Sequence, residues 1–131
     1  MAKRIREKAA ARKANKDTRP YATAKFIRMS SSKAARMLDI IRGKNFQEAC
    51  AILRETPSTA SEDVLKVLKS AAANAEHNKG LDKENLFVAE CYANQGPTMK
   101  RYIFRGKGGV NTILKRTCHI TIILDELKEA K

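Results

Sequence analysis

The sequence predicts an α+β domain: three helices packed on a small three-stranded antiparallel sheet, with a long β-hairpin extending from the body. Three observations carry this expectation. Residues 118–124 alternate, with Cys118, Ile120, Ile122 and Leu124 set against His119, Thr121 and Ile123, the period-two pattern of a half-buried strand. Three apolar stripes at helical spacing, each with boundary signals, lie between residues 30 and 80. Between the stripes and the last strand runs a basic, glycine-bearing segment flanked by two strand-like runs.

The elements follow in chain order. Residues 1–20 form a basic extension, expected to be disordered away from RNA, and residues 21–131 form one domain that includes the hairpin at 97–117. Tyr21 to Met29 reads as a short extended run. Ser30 to Ser32 offer N-caps to a first helix bearing Ala34, Met37, Leu38 and Ile41, spaced i, i+3, i+4, i+7, with Gly43 as its left-handed stop. Asn45 followed by Glu48 resembles a capping box for a second helix carrying Phe46, Ala49, Cys50 and Leu53. Thr56 and Pro57 fit N-cap and first position of a longer third helix with Val64, Val67, Leu68, Ala71 and Ala75, ending near Asn78 and Gly80. Leu86 to Ala93 is apolar and aromatic with one charge, and reads as the strand that enters the hairpin. At about 3.3 Å per residue, some nine residues each way would carry the hairpin roughly 30 Å outward.

Charge is the functional signal. The chain of 131 residues carries a net +13, unevenly spread. Residues 1–36 hold twelve Lys/Arg against Glu7 and Asp17, residues 37–98 are slightly acidic, and residues 99–119 hold six cations with no acid. No carboxylate stands between Glu90 and Asp125, while Lys100, Arg101, Arg105, Lys107, Lys115 and Arg116 bracket Gly106, Gly108 and Gly109. An arm with so few apolar residues cannot bury itself, and its charge calls for a polyanion. Tyr102 and Phe104 add rings able to stack on unpaired bases. A membrane surface would also attract cations, but the basic segments lack the apolar face of an interfacial helix. No apolar run approaches the ~18 residues that span a bilayer. The opening MAKRIREKAAARKANK could be read as an organelle transit peptide; its Lys excess, its lack of Ser, and Glu7 and Asp17 argue for a solvated, RNA-ordered arm in a cytosolic protein.

Catalytic and metal chemistry find no foothold. Cys50, Cys91 and Cys118 form no CxxC pair, and His77 and His119 lack zinc-ligand spacing. The cysteines read as reduced, with Cys50 and Cys118 in the core. Gly106-Lys107-Gly108-Gly109 is no phosphate-binding P-loop, because no glycine stands six residues before Lys107 and no hydroxyl follows it. Glu62 and Asp63 belong to the first turns of the third helix, where they favour its dipole. Arg54, Lys66 and Lys69 read as solvated helix charges. No cofactor, small-molecule substrate or membrane is expected.

The same residues carry a resemblance. The run GPTMKR, the glycine-basic tip, and ILKRTCHITIIL resemble the hairpin of the bacterial large-subunit ribosomal protein twenty-two family. DIIRGKN, AILRETP and LKSAAANAEHNKGLD likewise resemble that family's DLIRGKS, AILxFTP and LKSAIANAEHNNGLD. The similarity runs over about residues 22–125. It implies a non-catalytic constituent of the large subunit whose domain lies near the outer exit of the peptide tunnel and whose hairpin tip helps form the tunnel wall. Implied partners are large-subunit (23S-type) rRNA, neighbouring large-subunit ribosomal proteins and the nascent polypeptide, with a role in subunit assembly in the cytoplasm. Matched residue by residue, the implied rRNA-facing positions are Arg28, Ser30, Lys33, Arg42, Lys44, Lys100, Arg101, Arg105, Lys107, Lys115, Arg116, Thr117 and His119. The tip loop is Phe104, Arg105, Gly106, Lys107, Gly108 and Gly109.

Two departures stand out. The family's SPRKAR is here Ser30 to Ala35, without the Pro and two Arg, and Arg36 offers one charge from another azimuth. The tip pattern PRAxGRA becomes Phe104 to Val110, losing a Pro and an Arg and gaining two glycines, which loosens the free arm. The alternative from a different class is a free basic nucleic-acid-binding regulator. An RNA-processing enzyme would need an acid/base pair or metal cluster that the sequence does not assemble.

Overall fold

The computed structural model describes residues 2–15 and 17–126; Met1 and Lys16 of the basic extension and residues 127–131 of the expected domain lie outside the described residues. Among the described residues, four α-helices and five strands follow in the order α1 (Ala2–Ala14), β1 (Tyr21–Ile27), α2 (Ser31–Ile41), α3 (Phe46–Glu55), α4 (Thr59–Lys79), β2 (Leu86–Gln95), β3 (Met99–Phe104), β4 (Val110–Lys115) and β5 (Cys118–Glu126). The α+β class and the three helices of the body are as the stripes predict. The helix count differs, because residues 2–14 add α1. That segment, AKRIREKAAARKA, is built from strong helix formers. Only Ile5 is a large apolar residue in it and its described side chains are exposed, so hydrophobic periodicity had nothing to detect.

The strands form two sheets. β5 lies at the centre of a three-stranded antiparallel sheet of order β1-β5-β2, while β3 and β4 pair only with each other as a two-stranded ribbon. Tyr21, Thr23 and Ala24 face Ile123, Thr121 and Ile120, and Cys91 and Ala93 face Ile122 and Ile120. On β5, Cys118, Ile120, Ile122 and Leu124 are wholly buried in one cluster with Leu38 and Ile41 of α2 and Val64, Leu68, Ala71 and Ala75 of α4. Each fully buried Leu or Ile contributes about 1.5–3 kcal/mol relative to an exposed one, so this face fixes the register of the sheet.

Helix boundaries obey local competition for hydrogen bonds. Gly43 is left-handed at φ 76° as expected, and its N–H donates to the Val88 carbonyl at 2.9 Å, fastening the end of α2 to β2. The Asn45 capping box does not form: Asn45 occupies the N-cap without a side-chain bond, and the Glu48 carboxylate accepts from Lys44 Nζ at 2.6 Å instead. The start of α4 also differs from the Thr56-Pro57 expectation. Thr56 Oγ1 donates back to the Ile52 carbonyl at 2.7 Å, closing α3. Ser58 becomes the cap, its Oγ accepting from the Ala60 N–H at 3.3 Å. Gly80, at φ 66°, stops the helix.

Candidate nucleic-acid interface

The ribbon and its ends carry six cations and no acid. β3 and β4 pair over six rungs, from Met99 against Lys115 to Phe104 against Val110, and residues 100–112 are all exposed. Opposed residues in an antiparallel pair share a face. One face therefore carries Lys100, Tyr102 and Phe104 with Leu114, Thr112 and Val110; the other carries Arg101 and Ile103 with Ile113 and Asn111. Tyr102 is 59% and Phe104 82% exposed. Aromatic and aliphatic area left in water on one face, with cations at its base and tip, suits bases that stack while phosphates are neutralised.

The tip is a tight turn. Arg105 N–H donates to the Gly109 carbonyl at 2.7 Å and Gly109 N–H to the Gly106 carbonyl at 3.3 Å. Gly108 takes φ 74° and Lys107, unusually for a residue with a Cβ, φ 56°. Left-handed backbone at Lys107 is strained, and its side chain is exposed. Among the described residues, none of Lys100, Arg101, Arg105, Lys107, Lys115 and Arg116 joins an ion pair.

At the foot of the ribbon the structure gathers residues that are distant in sequence. Arg28, Met29, Ser30 and Lys33 meet Leu114, Lys115 and Arg116 around a shallow cleft of about 290 Å³. Five of the thirteen sequence-derived positions converge there. Ser30 Oγ lies 3.2 Å from Ser32 Oγ. The remaining body positions are engaged in internal bonds. Arg42 Nη2 donates to the Cys91 carbonyl at 3.1 Å and pairs with Asp39 at 2.9 Å, and Lys44 pairs with Glu48. Thr117 is buried, its hydroxyl donating to the Pro97 carbonyl at 2.7 Å. His119 is half-buried, and its Nδ1 accepts from the Phe26 N–H at 3.0 Å. Their side-chain bonds are thus used to shape the protein.

Phe26 received no role from the sequence. Strand periodicity would place it with Ala22 and Ala24 on the inner face, but a bulge between Ala24 and Ile27 intervenes and leaves it 60% exposed. The available signal was a bulky ring at the end of the run, just before Arg28.

The three thiols are structural. Cys50, Cys91 and Cys118 are free and buried, and burial raises the pKa of each. Cys91 Sγ donates to the Leu38 carbonyl at 3.3 Å. No group of three or more His, Cys, Asp or Glu that could hold a metal ion occurs among the described residues, and no described helix is long and apolar enough to cross a membrane.

A family model described as ribosomal protein L22p/L17e matches residues 22–125, from the first residues of β1 through the ribbon to the end of β5. The chain belongs to that family. The large ribosomal subunit protein uL22 of Clostridium novyi (strain NT) is 54% identical over 105 residues, covering 80% of this chain and 95% of the relative. Its counterpart in Carboxydothermus hydrogenoformans is 55% identical over 108 residues, with 82% and 96% covered. That of Latilactobacillus sakei subsp. sakei (strain 23K) is 53% identical over 117 residues, with 89% and 99% covered. The family is one of structural, non-enzymatic ribosomal components.

The matched span excludes α1 and its link to β1, where an ionic clamp fastens the link to β2. The Asp17 carboxylate accepts from Arg19 Nη2 at 2.7 Å and from the Arg19 backbone N–H at 2.9 Å, and Arg19 Nη2 also reaches Glu90 on β2 at 2.6 Å. These bonds, side chain first, lower the Asp17 pKa from its ordinary 3.8 to about 2. A depressed carboxyl pKa means that the Asp17–Arg19 pair contributes fully above pH 4 and is lost as pH falls through 2. A carboxyl carbon titration by NMR should give a midpoint near 2, returning to about 3.8 in Arg19→Ala; an unchanged midpoint in that variant would show that Arg19 is not the cause.

Proposed function

We propose that the protein is a structural constituent of the large ribosomal subunit in the cytoplasm, binding large-subunit rRNA and supporting subunit assembly. The observation that carries this reading is the ribbon: six cations without one ion pair among the described residues, and no carboxylate between Glu90 and Asp125. Such an arm gains order and neutrality together only on a polyanion. Lys100, Arg101, Lys115 and Arg116, with Arg28, Ser30 and Lys33, take the RNA backbone at the foot of the ribbon. Arg105 and Lys107 do so at the tip. Arg42, Lys44, Thr117 and His119 add contacts through the polar atoms their internal bonds leave over. Binding proceeds by phosphate neutralisation and shape fit rather than by base-edge reading.

In this reading the tip loop, Phe104 to Gly109, lines the nascent-peptide tunnel, and the body meets neighbouring large-subunit ribosomal proteins. The relatives named above are described as large ribosomal subunit proteins, which supports the assignment. Sedimentation tests it. Stoichiometric recovery in large subunits after a high-salt wash is the expected result; recovery only in free fractions would favour a free nucleic-acid-binding regulator.

Order in the arm provides a second check. In the absence of RNA, amides from Arg101 to Leu114 should exchange fast while those of β5 are protected, because the ribbon is exposed on both faces and the central strand is covered. Strong protection throughout the arm would show that it is rigid by itself.

A further inference from the structure

We propose that Phe26 and His119 form a stacking site for an unpaired RNA base, with the adjoining phosphates held by Arg28 and Arg116. The inference rests on the RNA reading above and adds to it a residue that reading does not use. Phe26 adopts φ 59°, a left-handed conformation that is a genuine outlier for a bulky side chain. Strain of this kind persists only where the surroundings over-determine it, and it concentrates at functional positions. Here the bulge between Ala24 and Ile27 intervenes, and the ring stands 60% exposed. The fold therefore holds a strained backbone in order to present an aromatic ring to solvent.

The presentation is built from several sides. The Phe26 N–H donates to His119 Nδ1 at 3.0 Å, and the two rings meet edge to face, with centroids 4.9 Å apart and planes at 88°. Behind the imidazole stands Gly96, where an added Cβ would lie 3.3 Å from Cε1 and Nε2 of His119 and 2.5 Å from Thr117 Oγ1. His119 is thus seated against bare backbone and fixes the orientation of Phe26. Ile27 pairs with Cys118, so Arg28 and Arg116 lie just beyond the aromatic pair on the same two chain segments, two residues from Phe26 and three from His119, or about 7 and 10 Å along the chain. Both line the cationic cleft with Lys33 and Lys115. An aromatic face bordered by cations matches a nucleotide, whose base stacks while its phosphates are neutralised. A protein partner would have to bring acidic groups to the same rim.

Affinity of the full-length protein for protein-free bacterial large-subunit rRNA, measured across salt concentrations, tests this. Phe26→Ala should weaken binding about 5- to 150-fold with the log–log salt slope unchanged, since a stack neutralises no phosphate. Phe26→Tyr should bind as the parent does. Phe26→Gly relieves the left-handed strain, so it should unfold no more easily than Phe26→Ala yet bind RNA as poorly. Arg116→Ala should flatten the slope by about 0.7 to 0.9. Parent-like binding by Phe26→Ala and Phe26→Gly alongside a flattened slope for Arg116→Ala would overturn the stacking site and leave the RNA reading standing; parent-like behaviour of all three, and of Lys100→Ala, Arg101→Ala and Lys115→Ala, would overturn both. Loss of a neighbouring ribosomal protein from Phe26→Ala subunits at unchanged rRNA affinity would assign the ring to a protein contact and overturn the proposal. A density map of the assembled subunit with no base within stacking distance of Phe26 would do the same, whatever the variants' stability.

Discussion

Alanine at Lys100, Arg101, Lys115 and Arg116 together will flatten the salt dependence of rRNA binding by about 2.8 to 3.6 in log–log slope, at about 0.7 to 0.9 for each phosphate no longer neutralised. These four side chains occupy the foot of the ribbon, are exposed, and form no ion pair among the described residues. Removing them releases no buried partner, so the folded body should change by no more than about 0.5 kcal/mol per substitution. Affinity should therefore fall steeply at low salt and converge on the parent's at high salt. Titrations at several salt concentrations, with unfolding of the free variant as a control, measure both quantities. A slope equal to the parent's would mean that the four cations are solvated in the complex and that the foot of the ribbon is not where RNA binds.

Ile122→Ala will have the opposite profile, costing about 2–5 kcal/mol of folding stability while leaving the salt slope of the folded fraction intact. Ile122 is fully buried on the central strand and pairs across the sheet with Ala22 on one side and Cys91 on the other. Small neighbours cannot extend into the space a truncated side chain leaves. Denaturant unfolding should show a lower midpoint at unchanged m-value. A loss below about 1 kcal/mol would indicate that α2 and α4 collapse onto the sheet far more freely than their packing implies.

The contrast between these variants explains which parts of the molecule could be read in advance. Cys118, Ile120, Ile122 and Leu124 announce β5 because burial on one face imposes period two. Ala34, Leu38 and Ile41 announce α2 for the corresponding reason at period 3.6. The cations of the ribbon were legible because nothing acidic stands near them in sequence. Features decided by competition between neighbours were not legible. Ser58 caps α4 because Thr56 turns its hydroxyl to Ile52, a choice between two hydroxyls that composition cannot arbitrate. Arg42 and Lys44 look like any other basic candidates until Asp39, Glu48 and the Cys91 carbonyl are seen to occupy them. The bulge at Phe26 reverses which side of the sheet a residue occupies, and the group that accepts its N–H, His119, lies 93 residues away.

The break between the two sheets also has a mechanical meaning. β2 ends at Gln95 and β3 starts at Met99, while β4 ends at Lys115 and β5 starts at Cys118. Two short links therefore join body and ribbon, crossed by the Gly96 N–H to Thr117 carbonyl bond at 2.9 Å and the Thr117 Oγ1 to Pro97 carbonyl bond at 2.7 Å. Six rungs at about 3.3 Å place the tip roughly 20 Å from that joint, so each degree of rotation there moves Phe104 by about a third of an ångström. The ribbon is a lever, and the buried threonine at its fulcrum is a strut that sets its aim. A change of one hydroxyl at Thr117, far from any residue of the tip, would be read out at the far end of the arm with that gain.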